Sequence, residues 1–242
     1  MALPRFYLNT PLALGARFSL PPGAARHAAR ALRLGAGDAI VLFDGRGGEY
    51  PARIERITRD EVAVAITGFD PVERESRLQV RLAQGISSGE RMDYTLQKAV
   101  ELGVAMIQPI AAKRSVVKLA GERADKRVTH WQGVVASACE QSGRNQIPLV
   151  SVPLTLANWL GSRPDGRLLV LSPLADQRLA DLPPPTGDDW LAVGPEGGFE
   201  TDELAALAAA GAVPVRLGAR VLRTETAALA ALAAMQTLWG DF

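Results

Sequence analysis

The 242-residue chain contains a single cysteine, Cys139, and two histidines, His27 and His130. One thiol excludes internal disulfides and cysteine-rich zinc sites. Two histidines far apart in dissimilar contexts argue against a histidine-based metal centre. No apolar run reaches the roughly 20 residues of a membrane span. The start, Met1-Ala-Leu-Pro-Arg-Phe-Tyr7, lacks the basic and apolar regions of a secretory signal. The expectation is a cytoplasmic protein with no membrane attachment and no metal. Acidic residues are missing from the first 37 positions, which carry Arg5, Arg17, Arg26, Arg30 and Arg33. Neither G-x-G-x-x-G nor G-x-x-x-x-G-K-[ST] occurs, so the usual dinucleotide and P-loop fingerprints are absent.

What is present falls into two textures. Residues 39–43, 49–57 and 61–66 read as strands, the first two joined through Asp44-Gly-Arg-Gly-Gly48, a hairpin signal. A short helix over 22–34, stopped by Gly35, is expected before them. The charged, apolar-poor segment 70–77 reads as a linker. Beyond it strands (78–83, 104–110, 167–171, 190–193, 213–217) alternate with helices (90–102, 126–142, 202–210, 226–238), the pattern of a mainly parallel sheet covered by helices.

In such sheets ligands bind where strands end and helices begin. Two junctions stand out. In Val193-Gly-Pro-Glu-Gly-Gly-Phe199 the glycines allow close backbone approach and Pro195 stiffens the turn. Glu196, Glu200, Asp202 and Glu203 crowd this loop, so a phosphate would meet carboxylates. A ligand without phosphate and of cationic character fits better, and S-adenosylmethionine is one. The alternative is a structural turn with a charged helix start. The second junction is Leu217-Gly-Ala-Arg-Val-Leu-Arg-Thr-Glu-Thr226. There Val221 and Leu222 could bed a purine ring, Arg220 and Arg223 could hold an anion, and Thr224 could cap the following helix. A capped helix with two surface arginines is the plainer reading.

Arg26, Arg30 and Arg33 fall at i, i+4 and i+7 of the expected helix. Like charges on one face cost stability and favour a role in phosphate contact. A second basic stretch runs from Lys113 through Arg114 to Arg144. Lys98 and Glu101 share a helix face as a surface or site-facing pair. Trp131 and Trp159 read as core or interface residues. Cys139, among small residues mid-helix, reads as a packed side chain, not a nucleophile.

These motifs resemble the RsmE family of bacterial 16S rRNA (uracil-N3)-methyltransferases. The resemblance rests on Gly194-Pro-Glu-Gly-Gly-Phe199, Leu217-Gly-x-Arg-Val-Leu-Arg-Thr-Glu-Thr-Ala227, Arg5-Phe-Tyr7, Gln97-Lys-Ala-Val-Glu-Leu-Gly-Val104 and Glu140-Gln-Ser-Gly-Arg144, in that family's order. It implies an α/β fold of the SPOUT class over 71–242, its C-terminal segments threaded into a trefoil knot, joined to an RNA-binding, PUA-like β-barrel over 1–70. It also implies a homodimer acting on 16S rRNA of the 30S subunit with S-adenosylmethionine as donor. By similarity the cofactor would meet Leu171, Ser172, Pro173, Gly194, Pro195, Glu196, Gly197, Gly198, Leu217, Gly218, Val221, Leu222, Arg223 and Thr226. Catalysis is expected from Arg144 and Arg223, with Glu196 or Glu225 as proton acceptor or orienting group. RNA contacts are expected from Arg5, Arg26, Arg30, Arg33, Lys98 and Arg114. The rival classes are a non-catalytic RNA-binding or ribosome-assembly factor and a nucleotide-dependent enzyme.

Overall fold

The computed structural model describes residues 3–59, 61–116 and 121–242. The chain forms two compact units, Met1–Glu75 with Cys139–Ile147, and Ser76–Ala138 with Pro148–Phe242.

The N-terminal unit is a five-stranded sheet. Its strands are β1 (Arg5–Tyr7), β2 (Arg17–Ser19), β3 (Ala39–Phe43), β4 (Tyr50–Ile57) and β5 (Val62–Ile66), in the order β1-β3-β4-β5-β2. All pairings are antiparallel except β1 with β3. Alternation places Val62, Val64 and Ile66 of β5 inside, against Ile40, Leu42, Ile54 and Phe6. The β3–β4 connection turns through left-handed glycines; at Gly48 a Cβ would fall 2.6 Å from the Phe69 ring.

The helix expected over 22–34 is shorter and differently wound. Helix α1 spans Pro22–Arg26 and continues as a π-helical turn over His27–Ala31. Leu34 N–H then closes onto Ala28 O, with Arg33 between them at φ 54°. The reversal lets Leu34 pack on the core of the sheet, at the cost of a left-handed arginine where glycine is usual. Arg26, Arg30 and Arg33 are all exposed but do not share one α-helical face. The i, i+4, i+7 argument fails because the regular helix ends at Arg26.

The second unit is built on a seven-stranded parallel sheet. Its elements are β6 (Val80–Gly85), α2 (Gly89–Glu101), β7 (Met106–Ala111), α3 (Glu122–Ser142), β8 (Leu149–Val150), β9 (Leu154–Thr155), α4 (Leu156–Ser162), β10 (Arg167–Leu171), β11 (Asp189–Val193), α5 (Thr201–Ala209), β12 (Val213–Val215) and α6 (Thr224–Trp239). Strand order is β12-β10-β11-β6-β7-β8, with β9 also pairing β7. Every residue of β11 is buried; strands covered on both faces carry continuous apolar runs. Trp131 and Trp159 are core residues, and Trp159 meets Trp190 edge-on at 5.3 Å. Among the described residues no helix is long and apolar enough to cross a membrane.

The end of α3 and the residues after it belong to the N-terminal unit. Tyr7 N–H donates to Glu140 Oε1 at 2.9 Å. Arg5 donates to Arg144 O and to Asn145 Oδ1, pairs with Glu49, and lies over the Phe43 ring. Cys139 is fully buried, its thiol donates to Gln146 O, and burial pushes its pKa up to about 12. It is a packed thiol and no nucleophile at neutral pH. Two motifs remote in sequence, Arg5-Phe-Tyr7 and Glu140-Gln-Ser-Gly-Arg144, are thus one hydrogen-bonded assembly.

Candidate active site

The strand order brings the carboxyl ends of β10, β11, β12 and β6 to one edge of the parallel sheet. The connections that leave those ends enclose a pocket of about 380 Å³, within the range of small-molecule sites, roughly 300–1,000 Å³. From β10 come Leu171, Ser172 and Pro173, from β11 Val193 to Gly198, and from β12 the run Val215–Gly218 followed by Arg220–Glu225 and Ala227. Of the residues expected at the cofactor, all line it except Thr226. Arg91, Arg216 and Arg220 line it as well.

The glycine-rich loop is shaped by close approach. A Cβ on Gly85 would lie 2.4 Å from Pro195 N, and one on Gly194 would lie 3.0 Å from Phe199 N. Gly198 sits at φ 69° and its N–H closes a turn onto Pro195 O at 2.8 Å. Side chains do the rest of the holding. Thr224 Oγ1 donates to Gly194 O at 2.6 Å and accepts from Gln84 Nε2 at 2.9 Å. The N-cap of α6 is Arg223, not Thr224; the threonine hydroxyl is spent on the loop rather than on the helix end. The acidic crowding has a structural use too. Glu200 and Glu203 form a capping box at the start of α5, an arrangement that satisfies two orphan amides.

The two pocket carboxylates have different surroundings. Glu196 Oε1 accepts from Ser88 N–H at 3.0 Å, from the Ser88 hydroxyl and from Arg91. Burial works against its charge, but these donors outweigh burial and hold its pKa below the ordinary carboxylate value. Glu196 is a loop anchor and a poor proton acceptor. Glu225 Oε2, by contrast, is buried and has no hydrogen-bond partner, and its residue lines the pocket. A buried oxygen without a donor costs free energy. Arg220 and Arg223 are exposed, with no side-chain partner among the described residues.

Arg144 lies elsewhere. Its guanidinium makes a bidentate pair with Glu75 inside the N-terminal unit, at 7% exposure, and does not line the pocket. Of the residues expected to meet RNA, Arg26, Arg30 and Arg33 are exposed. Arg5 is largely enclosed in its network with Glu49. Lys98 pairs with Glu101 at 2.7 Å, and Arg114 donates to Gly197 O at 2.9 Å. Ser88 and Arg91 escaped the sequence reading because their partner, Glu196, is more than a hundred residues away. No group of three or more potential metal ligands occurs among the described residues.

A parallel sheet whose strand ends hold a glycine-rich pocket is the layout of an α/β small-molecule-binding domain. The acids expected to crowd that loop, Glu200, Asp202 and Glu203, do not line the pocket, whose walls carry Arg91, Arg216, Arg220 and Arg223 beside Glu196 and Glu225. Two family profiles match: an RNA methyltransferase domain over residues 74–236 and an RNA methyltransferase PUA domain over residues 20–67. A ribosomal RNA small subunit methyltransferase E of Mycobacterium bovis is 36% identical, over 96% of this chain and 91% of its own length. Among solved structures, the same-named protein of Neisseria gonorrhoeae, bound to S-adenosyl methionine, is 44% identical with a TM-score of 0.93 over the whole of both chains. A Legionella pneumophila methyltransferase in complex with the bound cofactor is 39% identical with a TM-score of 0.96, again over both full lengths. The chain belongs to the ribosomal RNA small subunit methyltransferase E family.

Proposed function

We propose that this protein transfers the methyl group of S-adenosylmethionine to N3 of a uridine in the 16S rRNA of the small ribosomal subunit, acting in the cytoplasm as a homodimer. The observation that carries the reading is the pocket of about 380 Å³ at the ends of β10, β11 and β12, walled by the glycine-rich loop and by Arg223 and Glu225. S-adenosylmethionine supplies an electrophilic methyl on a sulfonium centre. The chain has to orient uracil N3 in line with it and manage the imide proton. Positioning can contribute up to about 7–11 kcal/mol of barrier lowering. Arg223, unpaired and on the pocket wall, favours the uracilate anion that forms when the proton leaves. Glu225 accepts that proton or the ligand's own donor; general-base catalysis adds about 10²–10⁴-fold. Glu196 takes no proton and keeps the loop in shape. Arg26 and Arg30 supply phosphate contacts.

The same-named relatives support this reading, as do the two structures with the cofactor bound. The test is methyl transfer from labelled S-adenosylmethionine to 30S subunits that lack the modification. Glu225→Gln and Arg223→Ala lower kcat by at least tenfold while calorimetry still detects cofactor binding. Full activity in both variants would remove these roles.

A further inference from the structure

The loop from Gly194 to Gly198 is held at three points from three different elements. Gly194 O is held by Thr224 at the start of α6, and Glu196 by Ser88 and Arg91 around the start of α2. The third point is Gly197, whose carbonyl accepts from Arg114 Nη1 at 2.9 Å. The aliphatic stem of Arg114 covers the same residue: a Cβ on Gly197 would lie 3.0 Å from Arg114 Cβ and 3.2 Å from its Cδ. Arg114 is itself fixed. The preceding Lys113 N–H donates to Glu203 Oε1 at 3.0 Å, Glu203 Oε2 accepts from Glu200 N–H, and Lys113 Nζ pairs with Asp202. Glu203 is buried at 6% exposure. The turn after β7 is therefore riveted to the first turn of α5, and Arg114 reaches from it over the back of the pocket loop.

We propose that Arg114 is a positioning residue for the methyl-donor loop, acting through the Gly197 carbonyl and not through RNA phosphate. This rests on the reading of the pocket as the S-adenosylmethionine site. Gly197 lines the pocket, so a displaced carbonyl moves the backbone that a ligand would touch. The guanidinium also stands 3.7 Å from Glu200, which directs its fork toward the loop. Half of its side chain is exposed, so the effect is moderate, as for a charge-assisted bond open to solvent.

The test is carried out on the full chain with S-adenosylmethionine and 30S subunits. Arg114→Ala raises the calorimetric Kd for S-adenosylmethionine about three- to tenfold. It raises KM for the cofactor in parallel, with kcat at saturating cofactor and KM for subunits within twofold of the parent. Amide exchange at Gly197 and Gly198 in the cofactor-free protein becomes faster, which a role confined to RNA would not produce. Arg114→Lys, able to donate to the same carbonyl, recovers part of the affinity. An unchanged cofactor Kd and unchanged loop exchange, together with weaker subunit binding, would overturn the proposal and make Arg114 an RNA contact. If the parent protein itself fails to bind S-adenosylmethionine, the reading of the pocket fails instead.

Discussion

Two arginines of the pocket and two of the N-terminal unit have opposite surroundings, although composition does not distinguish them. Arg220 and Arg223 stand exposed at the pocket, with no side-chain partner among the described residues. Arg5 and Arg144 are enclosed and matched by Glu49 and Glu75, partners 44 and 69 residues away in sequence. A basic count over the first 37 residues cannot separate these cases. What separates them is whether the fold delivers an acid. Carboxylates divide by partner and not by unit: burial works against the charge of Glu49 in the N-terminal unit, yet Arg74 and Arg5 lower its pKa. Glu196 at the pocket has its pKa lowered, its donors outweighing burial, whereas Glu140 in the N-terminal unit has its pKa raised by burial.

The largest effect that probes this division comes from removing the acid beside Arg144. Glu75→Ala leaves a buried guanidinium without its carboxylate and lowers unfolding free energy by about 3 kcal/mol, read from denaturant midpoints. A loss below about 1 kcal/mol would mean that the pair is solvated and the contrast with the pocket arginines is overstated. On the pocket side, Gly85→Ala places a Cβ 2.4 Å from Pro195 N. It should cost about 2 kcal/mol and weaken S-adenosylmethionine binding at least tenfold by calorimetry.

A pH effect comes next. Glu196 has a folded pKa below the ordinary 4.5, so its anchoring is complete above that value and is lost as pH falls through the lowered one. Cofactor affinity should hold down to about pH 4.5 and then fall, and Glu196→Gln should flatten that acid limb. Glu140 runs the other way: its penalty appears as pH rises above 4.5 through its raised pKa. Glu140→Gln should therefore remove a small stability gain seen on mild acidification. The smallest effect is on RNA affinity. Removing Arg26 and Arg30 together should reduce the slope of log affinity against log salt by about 0.7 per lost phosphate contact. An unchanged slope would show that those exposed arginines are merely solvated.

Legibility in the sequence followed the range of the interactions involved. Strands β3 and β10 occupy the residues that their apolar patterns indicate, and the pocket loops were readable because each is a contiguous run at a strand end. Strands β1 and β2 were not, being three residues each, too short for a periodic signal. The π-helical turn after α1 escaped because nothing local distinguishes it from an α-helix; the half-buried Leu34 that packs on the sheet core lies just beyond it. The placing of Cys139–Ile147 in the N-terminal unit depends on hydrogen bonds from β1 that no window of sequence contains.

One measurement addresses the central claim that the loop from Gly194 to Gly198 is a methyl-donor site serving RNA. Small subunits from a strain lacking the modification would be incubated with the purified protein and isotope-labelled S-adenosylmethionine, digested to nucleosides and examined by mass spectrometry. The account predicts label in 3-methyluridine, and its loss in Gly85→Ala. No label, or label in a different nucleoside, would contradict it.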